Sequence, residues 1–307
     1  MNFEEYLEEL TNGSRKLKIT DLQRLSDLSP EQAARLAARW ADIDVRRRRR
    51  VLQELIDLAE DTVELNFDVV FRHAFEDDDA EVRLAAVRGL WEYESPDLID
   101  SLTALTETDD SAAVRAEATL ALGRFVLLFE IGRLRERHFE HAAASLRRVV
   151  ENAGEIEEVR ARAIEAIGSH DASWVRQAVT QAYESGSHRL KVSAVHAMGR
   201  SAEPRWLPLL KRELASDEAE LRYEAVVASG SLADEAAVPS LVPLATDPDD
   251  EVRAAAVSAL GEIGGEAARR ALDDLIDRPS EPASDAAAAA ISEIEADEDP
   301  LAFKLGG

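Results

Sequence analysis

The stretch Asp249-Asp250-Glu251-Val252-Arg253-Ala254-Ala255-Ala256-Val257-Ser258-Ala259-Leu260-Gly261 decides how this chain folds. Acids open it and a Val-Arg pair anchors it. Ala stands four places after the Val, an apolar residue eight places after, and Gly nine. Positions 0, 4 and 8 fall on one stripe of an α-helix, with 1 and 5 beside it. The leading carboxylates suit the free N–H groups and the positive dipole end of a helix start. Glycine at nine suits the left-handed conformation that ends a helix.

The same phrase recurs in both directions from this stretch. It reads Val82-Arg83 with Ala86 and Leu90, then Val114-Arg115 with Ala118, Leu122 and Gly123. It returns as Val159-Arg160 with Ala163, Ile167 and Gly168, and as Leu190-Lys191 with Ala194, Met198 and Gly199. Leu221-Arg222 with Ala225 and Gly230 follows, and a worn copy at Ala286, Ala290 and Ile294 closes the series. The anchors at 82, 114, 159, 190, 221, 252 and 286 are separated by 32, 45, 31, 31, 31 and 34 residues. Position seven is small throughout, at Gly89, Ala121, Ala166, Ala197, Ala228 and Ala259, which predicts a close helix–helix approach. About 31 residues accommodate two three-turn helices and two turns. No such pair shelters its own apolar stripe, so each must lean on its neighbours.

Composition agrees with an all-α fold. Apolar residues make up 46% of the 307, but aromatics only 5%, so Ala, Leu, Val and Ile must build the core. Ala and Leu are strong helix formers, and no stretch alternates as a strand does. Pro96 and Pro204 sit where the first turn of a preceding helix tolerates proline. The absence of cysteine excludes disulfides, thiolate metal sites and cysteine nucleophiles. The acidic, amphipathic start reads as neither a signal peptide nor a membrane span, and a cytoplasmic protein is expected.

The formal charge of −26 is unfavourable for nucleic acid and for anionic membranes, and it favours a basic or neutral partner. Adaptation to a salt-rich cytoplasm is the other reading of that charge. The run Arg46–Arg50 does not alter the balance. Between Glu31 and Glu60 seven arginines face six acids, and five consecutive helical residues point in five directions. It reads as a solvated face with local ion pairs.

Three segments follow. Residues 1–62 lack the phrase and read as a divergent helical cap, with helix starts at Thr20 and at Ser29-Pro30 followed by Gln32. Residues 63–295 form the array, with an insertion near 124–150, and 296–307 read as a flexible acidic tail. The insertion carries six arginines against three glutamates. Its Arg133, Arg135, Arg137, Arg147 and Arg148 form a candidate basic patch on a docking element, unless they pair with nearby acids on a lengthened outer helix.

The phrase, the acid-plus-Arg turn and the short period resemble HEAT repeats, in particular the short HEAT-like repeats named after phycobilin lyases. The resemblance covers roughly residues 64–295. It implies a right-handed α-solenoid of about eight stacked antiparallel helix pairs, an armadillo-like superhelix with the second helix of each pair on the concave face. It also implies that turn acids and the anchors Arg83, Arg115, Arg160, Arg222 and Arg253 form a structural ladder between repeats.

No catalytic constellation accompanies this architecture. Phosphate-binding glycine loops, a nucleophile elbow and an EF-hand loop are all missing, and no His is followed by Glu. The last absence separates the chain from HEAT-like di-iron hydroxylases, and the acidic charge separates it from HEAT-like DNA glycosylases. The expectation is therefore a non-catalytic scaffold or adaptor with no cofactor and no metal, binding a protein or peptide along the concave face. Positions two and six of the phrase supply the candidate contacts Leu84, Arg88, Leu120, Glu165, Val192, His196, Tyr223 and Val227. His196 and Glu165, one repeat apart, are spaced so that they could form a titrating pair, although a satisfied structural histidine is the favoured reading of His196. Chromophore handling of the phycobilin-lyase kind, and service as a regulatory subunit of an enzyme, are the alternatives. Nothing in the residues specifies the oligomeric state.

Overall fold

Every phrase copy within the described residues lies on an α-helix, preceded by a shorter or partner helix. The computed structural model describes residues 2–13, 16–277 and 287–292. The worn copy's Ala286 and Ile294, and the 296–307 tail, lie outside them. No strand occurs among the described residues. The chain divides into two compact units, Met1–Ala163 and Ile164–Gly307.

The first unit opens with α1 (Phe3–Thr11) and the short α2 (Ile19–Leu22), followed by α3 (Pro30–Trp40) and α4 (Val45–Asp61). Hairpins α5 (Asp68–Ala74) with α6 (Ala80–Gly89) and α7 (Leu98–Thr108) with α8 (Ala112–Glu130) come next. α9 (Glu136–Glu151) packs on α7 and α8, and α10 (Glu157–Ile167) contains the division between the units. The inner helices α4, α6 and α8 stack successively.

The second unit repeats the scheme. Its hairpins are α11 (Ser173–Glu184) with α12 (His188–Ser201), and α13 (Leu207–Glu213) with α14 (Ala219–Leu232). α15 (Val238–Leu241), continued by a 3-10 turn over Val242–Thr246, pairs with α16 (Asp250–Ile263), and α17 (Gly265–Ile276) packs on α16. Here α12, α14 and α16 form the inner row. Each unit is thus an all-α stack of helical hairpins.

Local chemistry explains where the helices start. Asp79 accepts from Val82 N, and Asp249 accepts from Glu251 N and Val252 N, so these two turn acids cap as their position predicts. Ser111 and Glu218, before α8 and α14, make no side-chain capping bond. Ser29 and Gln32 form a reciprocal capping box ahead of Pro30. Thr20, by contrast, is inside α2, which starts at Ile19 after an uncapped Lys18. The stripe positions are the core: Val82, Ala86, Val114, Ala118, Leu122, Ala194, Met198, Ala225, Val252, Ala256 and Leu260 are all fully buried.

Glycine at nine does something other than end helices. α12, α14 and α16 run through Gly199, Gly230 and Gly261, and the left-handed caps that follow α12 and α14 are Ala202 and Ala233. A Cβ on Gly199 would stand 2.7 Å from Ala228 Cα, and one on Gly168 would stand 2.8 Å from Ala197 Cα. The glycine of one repeat therefore receives the small residue at seven of the next. Bare backbone allows inner helices to touch where any side chain would part them.

The 1–62 segment also holds a hidden copy. On α4, Arg48, Val51 and Leu55 take positions one, four and eight, with Val51 and Leu55 fully buried. Arg48 Nε lies 3.0 Å from Asp77 Oδ2, as an anchor arginine would. The insertion lengthens α8 and α9 to 19 and 16 residues, so both helices of that region grow.

Candidate partner-binding surfaces

The anchor arginines are occupied by the fold. Arg83 donates to both carboxylate oxygens of Asp109, at 2.7 and 2.8 Å, and to Asp77 O at 2.7 Å. Arg115 repeats this with Glu155 and Asp109 O, and Arg222 with Asp247 and Ser216 O. Arg253 reaches Asp247 O at 2.6 Å. Burial alone would raise the pKa of Asp109, but the Arg83 fork and the Ser111 N–H hold it below the usual carboxylate range. The same balance, with Arg222 as the main counterweight to burial, lowers Asp247. Bidentate pairs of this kind fix the spacing between successive repeats. Arg160 shows no such pairing, and its buried Nε lacks a hydrogen-bond partner.

Lys191, which stands where the other full copies have arginine, takes the buried Glu213. Its Nζ lies 2.8 Å from Oε2, while the Tyr183 hydroxyl donates to Oε1. Burial, with Glu213 adding to it, pushes the Tyr183 hydroxyl up to about 12. A compact ammonium meets a different acid, one contributed by α13 instead of a turn.

The predicted contact residues divide sharply. Leu84 and Val192 are only 8% and 4% exposed, so neighbouring helices cover them and they present no surface. Arg88 is exposed and pairs with Glu117 at 3.0 Å, which brings it beside Leu120, one turn along α8. Glu165 is tied to Arg189 at 3.0 Å and to Ser193 Oγ at 2.7 Å. His196 Nδ1 faces Glu224 at 3.3 Å, so the candidate His196–Glu165 pair gives way to His196–Glu224. Tyr223 and Val227 stand open one turn apart on α14, 37% and 38% exposed, with Glu224 bringing His196 to their side.

The basic patch is mostly neutralised. Arg133 pairs with Glu94 at 2.5 Å, Arg147 with Glu151 at 2.7 Å, and Arg148 with Glu107. Arg137 Nε approaches His138 Nε2 at 3.2 Å, and Arg135 is exposed at the start of α9. The insertion's positive charge therefore anchors it to acids of its own unit.

One surface escaped the sequence reading. Trp91 is 59% exposed and lines a cleft of about 240 Å³ with Val63, Asn66, Tyr93, Glu60 and Glu92. A readable signal existed: Trp91 holds position nine, where every later copy through 261 has glycine. An indole cannot enter the contact that glycine makes. α6 accordingly ends at Gly89, two residues short of position nine, and the ring emerges. A larger cleft of about 530 Å³ lies on the ladder itself, around Asp77, Asp78, Arg83, Asp109 and Asp110. Among the described residues no group of three or more His, Asp or Glu is placed to hold a metal ion, and no helix is long and apolar enough to cross a membrane.

Stacked hairpins with a period near 31 residues, bare glycine contacts and a carboxylate ladder define an α-helical repeat protein. The family model for HEAT repeats matches residues 68–153, 145–228 and 207–292, and the chain belongs to that family. No curated protein matches the sequence. Among solved structures, E. coli YibA is similar at 17% identity and TM-score 0.46, over 80% of this chain and 95% of that one. Human deoxyhypusine hydroxylase is similar at 18% identity and TM-score 0.37, over 85% and 95%. Importin beta is similar at 16% identity and TM-score 0.40, over 95% of this chain and 46% of its own. Likeness at this level concerns the fold alone.

Proposed function

We propose that this HEAT-repeat protein is a non-catalytic scaffold that binds a protein or peptide partner on the inner helices of its second unit. The reading rests on Tyr223 and Val227. They are large apolar side chains at positions two and six, each more than a third exposed, on a helix whose stripe residues Leu221, Ala225 and Ser229 are sealed. An aromatic anchor beside an apolar neighbour, rimmed by the His196–Glu224 pair, has the composition of a binding hot spot. Arg83, Arg115, Arg222 and Arg253 are engaged in the fold, which leaves Tyr223 and Val227 open to a partner.

The test is crosslinked affinity capture from the source cell with the wild-type chain and a Tyr223→Glu/Val227→Glu variant. Both sites are open, so the variant keeps its helicity by circular dichroism. It is expected to lose the wild type's bound species. Undiminished capture by a folded variant counts against the groove.

A further inference from the structure

We propose that the Trp91 cleft of the first unit is a second, independent docking site for a basic protein segment bearing an apolar anchor. The apolar floor is Trp91 with Val63, which are 59% and 94% exposed, closed at the side by Tyr93, whose hydroxyl donates to Asn66 Oδ1 at 2.5 Å. Arg124 of α8 donates to Leu90 O at 2.9 Å, beside Trp91 in the chain; Leu127, about one turn further along α8, and Ile131, just past its end, are 37% and 55% exposed. Trp91 and Val63 thus stand open in one cleft, exposed apolar surface of the kind that marks interaction sites.

Charge selects the occupant. Glu60 and Glu92 line the cleft and Glu64 follows Val63; all three are exposed, and among the described residues none has an ion-pair partner. Arg88 and Arg133 are paired with Glu117 and Glu94, whereas Arg124 donates to the neutral Leu90 carbonyl and keeps its charge. α4 ends at Asp61 and α6 at Gly89, so the negative ends of two helix dipoles also face this region. The three carboxylates and the two helix ends favour a cation and outnumber the one opposing charge of Arg124. The net charge of −26 works against anionic lipid and nucleic acid as ligands here. A lysine- or arginine-bearing segment with one leucine or aromatic anchor satisfies floor and rim together.

Trp91 also reports on its own site. Trp40 and Trp206 are buried and Trp174 is half-buried, so acrylamide quenches Trp91 preferentially. The probes are a short peptide alternating leucine with lysine and its leucine–glutamate counterpart, added to the full chain. The lysine peptide is expected to shield the fluorescence and to bind more weakly as salt rises; the glutamate peptide is expected to do neither. Trp91→Ala should weaken binding about tenfold or more, measured with labelled peptide. Glu60→Gln/Glu64→Gln/Glu92→Gln should weaken it and flatten its salt dependence. Tyr223→Glu/Val227→Glu should bind the peptide as wild type does, which separates this site from the groove of the second unit. Three results overturn the proposal: equal binding of the two peptides, wild-type binding by folded Trp91→Ala, or loss of binding in the Tyr223→Glu/Val227→Glu variant. A wild-type chain that self-associates in sedimentation while Trp91→Ala does not would also overturn it, assigning the cleft to a second copy.

Discussion

Adding one methyl group to each inner-helix glycine should yield a graded loss of stability set by distance. Alanine in place of glycine within a helix gains about 1 kcal/mol of propensity. Against that gain stands the fit of the new Cβ. At Gly199 it would lie 2.7 Å from Ala228 Cα and 2.8 Å from its Cβ. Carbon atoms prefer about 3.5–4.0 Å, so α12 and α14 must separate by roughly 1 Å. Overpacking of this kind costs about 1–3 kcal/mol, which outweighs the propensity gain. Gly199→Ala is therefore expected to destabilise by up to about 2 kcal/mol. At Gly230 the backbone contact relaxes to 3.2 Å, and the nearest atom belongs to the flexible Glu262 carboxylate. The two effects should nearly cancel there. At Gly261 the nearest atom is the Ala290 Cβ at 3.1 Å and its Cα lies 3.7 Å away, so a small shift admits the methyl and the substitution should be close to neutral. Equilibrium urea unfolding of the three variants, followed by circular dichroism, reads the order directly. A Gly199→Ala protein as stable as Gly261→Ala would refute the close-contact account and return glycine to a helix-ending role.

The ladder makes its own predictions. Arg83→Ala leaves the Asp109 carboxylate, 3% exposed, without its fork, and should cost roughly 2–4 kcal/mol in urea unfolding of the first unit. Asp79, Asp109, Glu155 and Asp247 all have pKa values depressed by folding, so their stabilisation is present above the unfolded value near pH ~4 and lost as pH falls through the folded values. Unfolding free energy should accordingly be level from about pH 7 to pH 5 and fall below about pH 4, less steeply in Asp109→Asn. Burial separates two groove candidates that looked equivalent in the sequence. Val192→Glu places an unpaired charge in a core position and should unfold the second unit, whereas Tyr223→Glu should shift stability by no more than about 0.5 kcal/mol.

How much of this was legible depended on whether a residue acts within its own helix or through its neighbour. Val82, Ala86 and Leu90 announce a buried stripe because helical periodicity is local, and the Ser29–Gln32 box sits three residues apart in the chain. The Arg83–Asp109 ladder was legible through the resemblance, since its partners are 26 residues apart. Burial of Leu84 and Val192 was not legible. Position two points away from the stripe, about 200° round the helix from position zero, and only the packing of adjacent hairpins decides whether it is covered. His196 chose Glu224 over Glu165 because Glu165 was already held by Arg189 and Ser193, a competition that no spacing reveals. The copy on α4 was hidden because Arg47-Arg48 replaces Val-Arg inside a run of five arginines. Trp91 could have been found by asking what replaces glycine at position nine, which is a question about the contact and not about the helix.

The remaining ambiguity of the sequence, whether so acidic a surface serves recognition or salt tolerance, turns into a measurable difference once the ladder is seen. A chain adapted to salt depends on screening to hold its like charges together. Here the partially buried pairs at Arg83–Asp109, Arg115–Glu155 and Arg222–Asp247 bridge successive repeats, and they are screened little by added ions. The acids outside the ladder, such as Glu60, Glu64 and Glu92, lie on open surface where water lowers their repulsion. Lowering ionic strength to about 0.01 M extends the screening length to about 30 Å and exposes whatever repulsion exists. If the ladder sets the balance, helicity and urea midpoint should change little from 0.15 M to that limit, while binding of a basic peptide at the Trp91 cleft strengthens. Collapse of the helical signal at low salt would show that repulsion outweighs the ladder, and would make the charge an adaptation to salt and not a means of selecting partners.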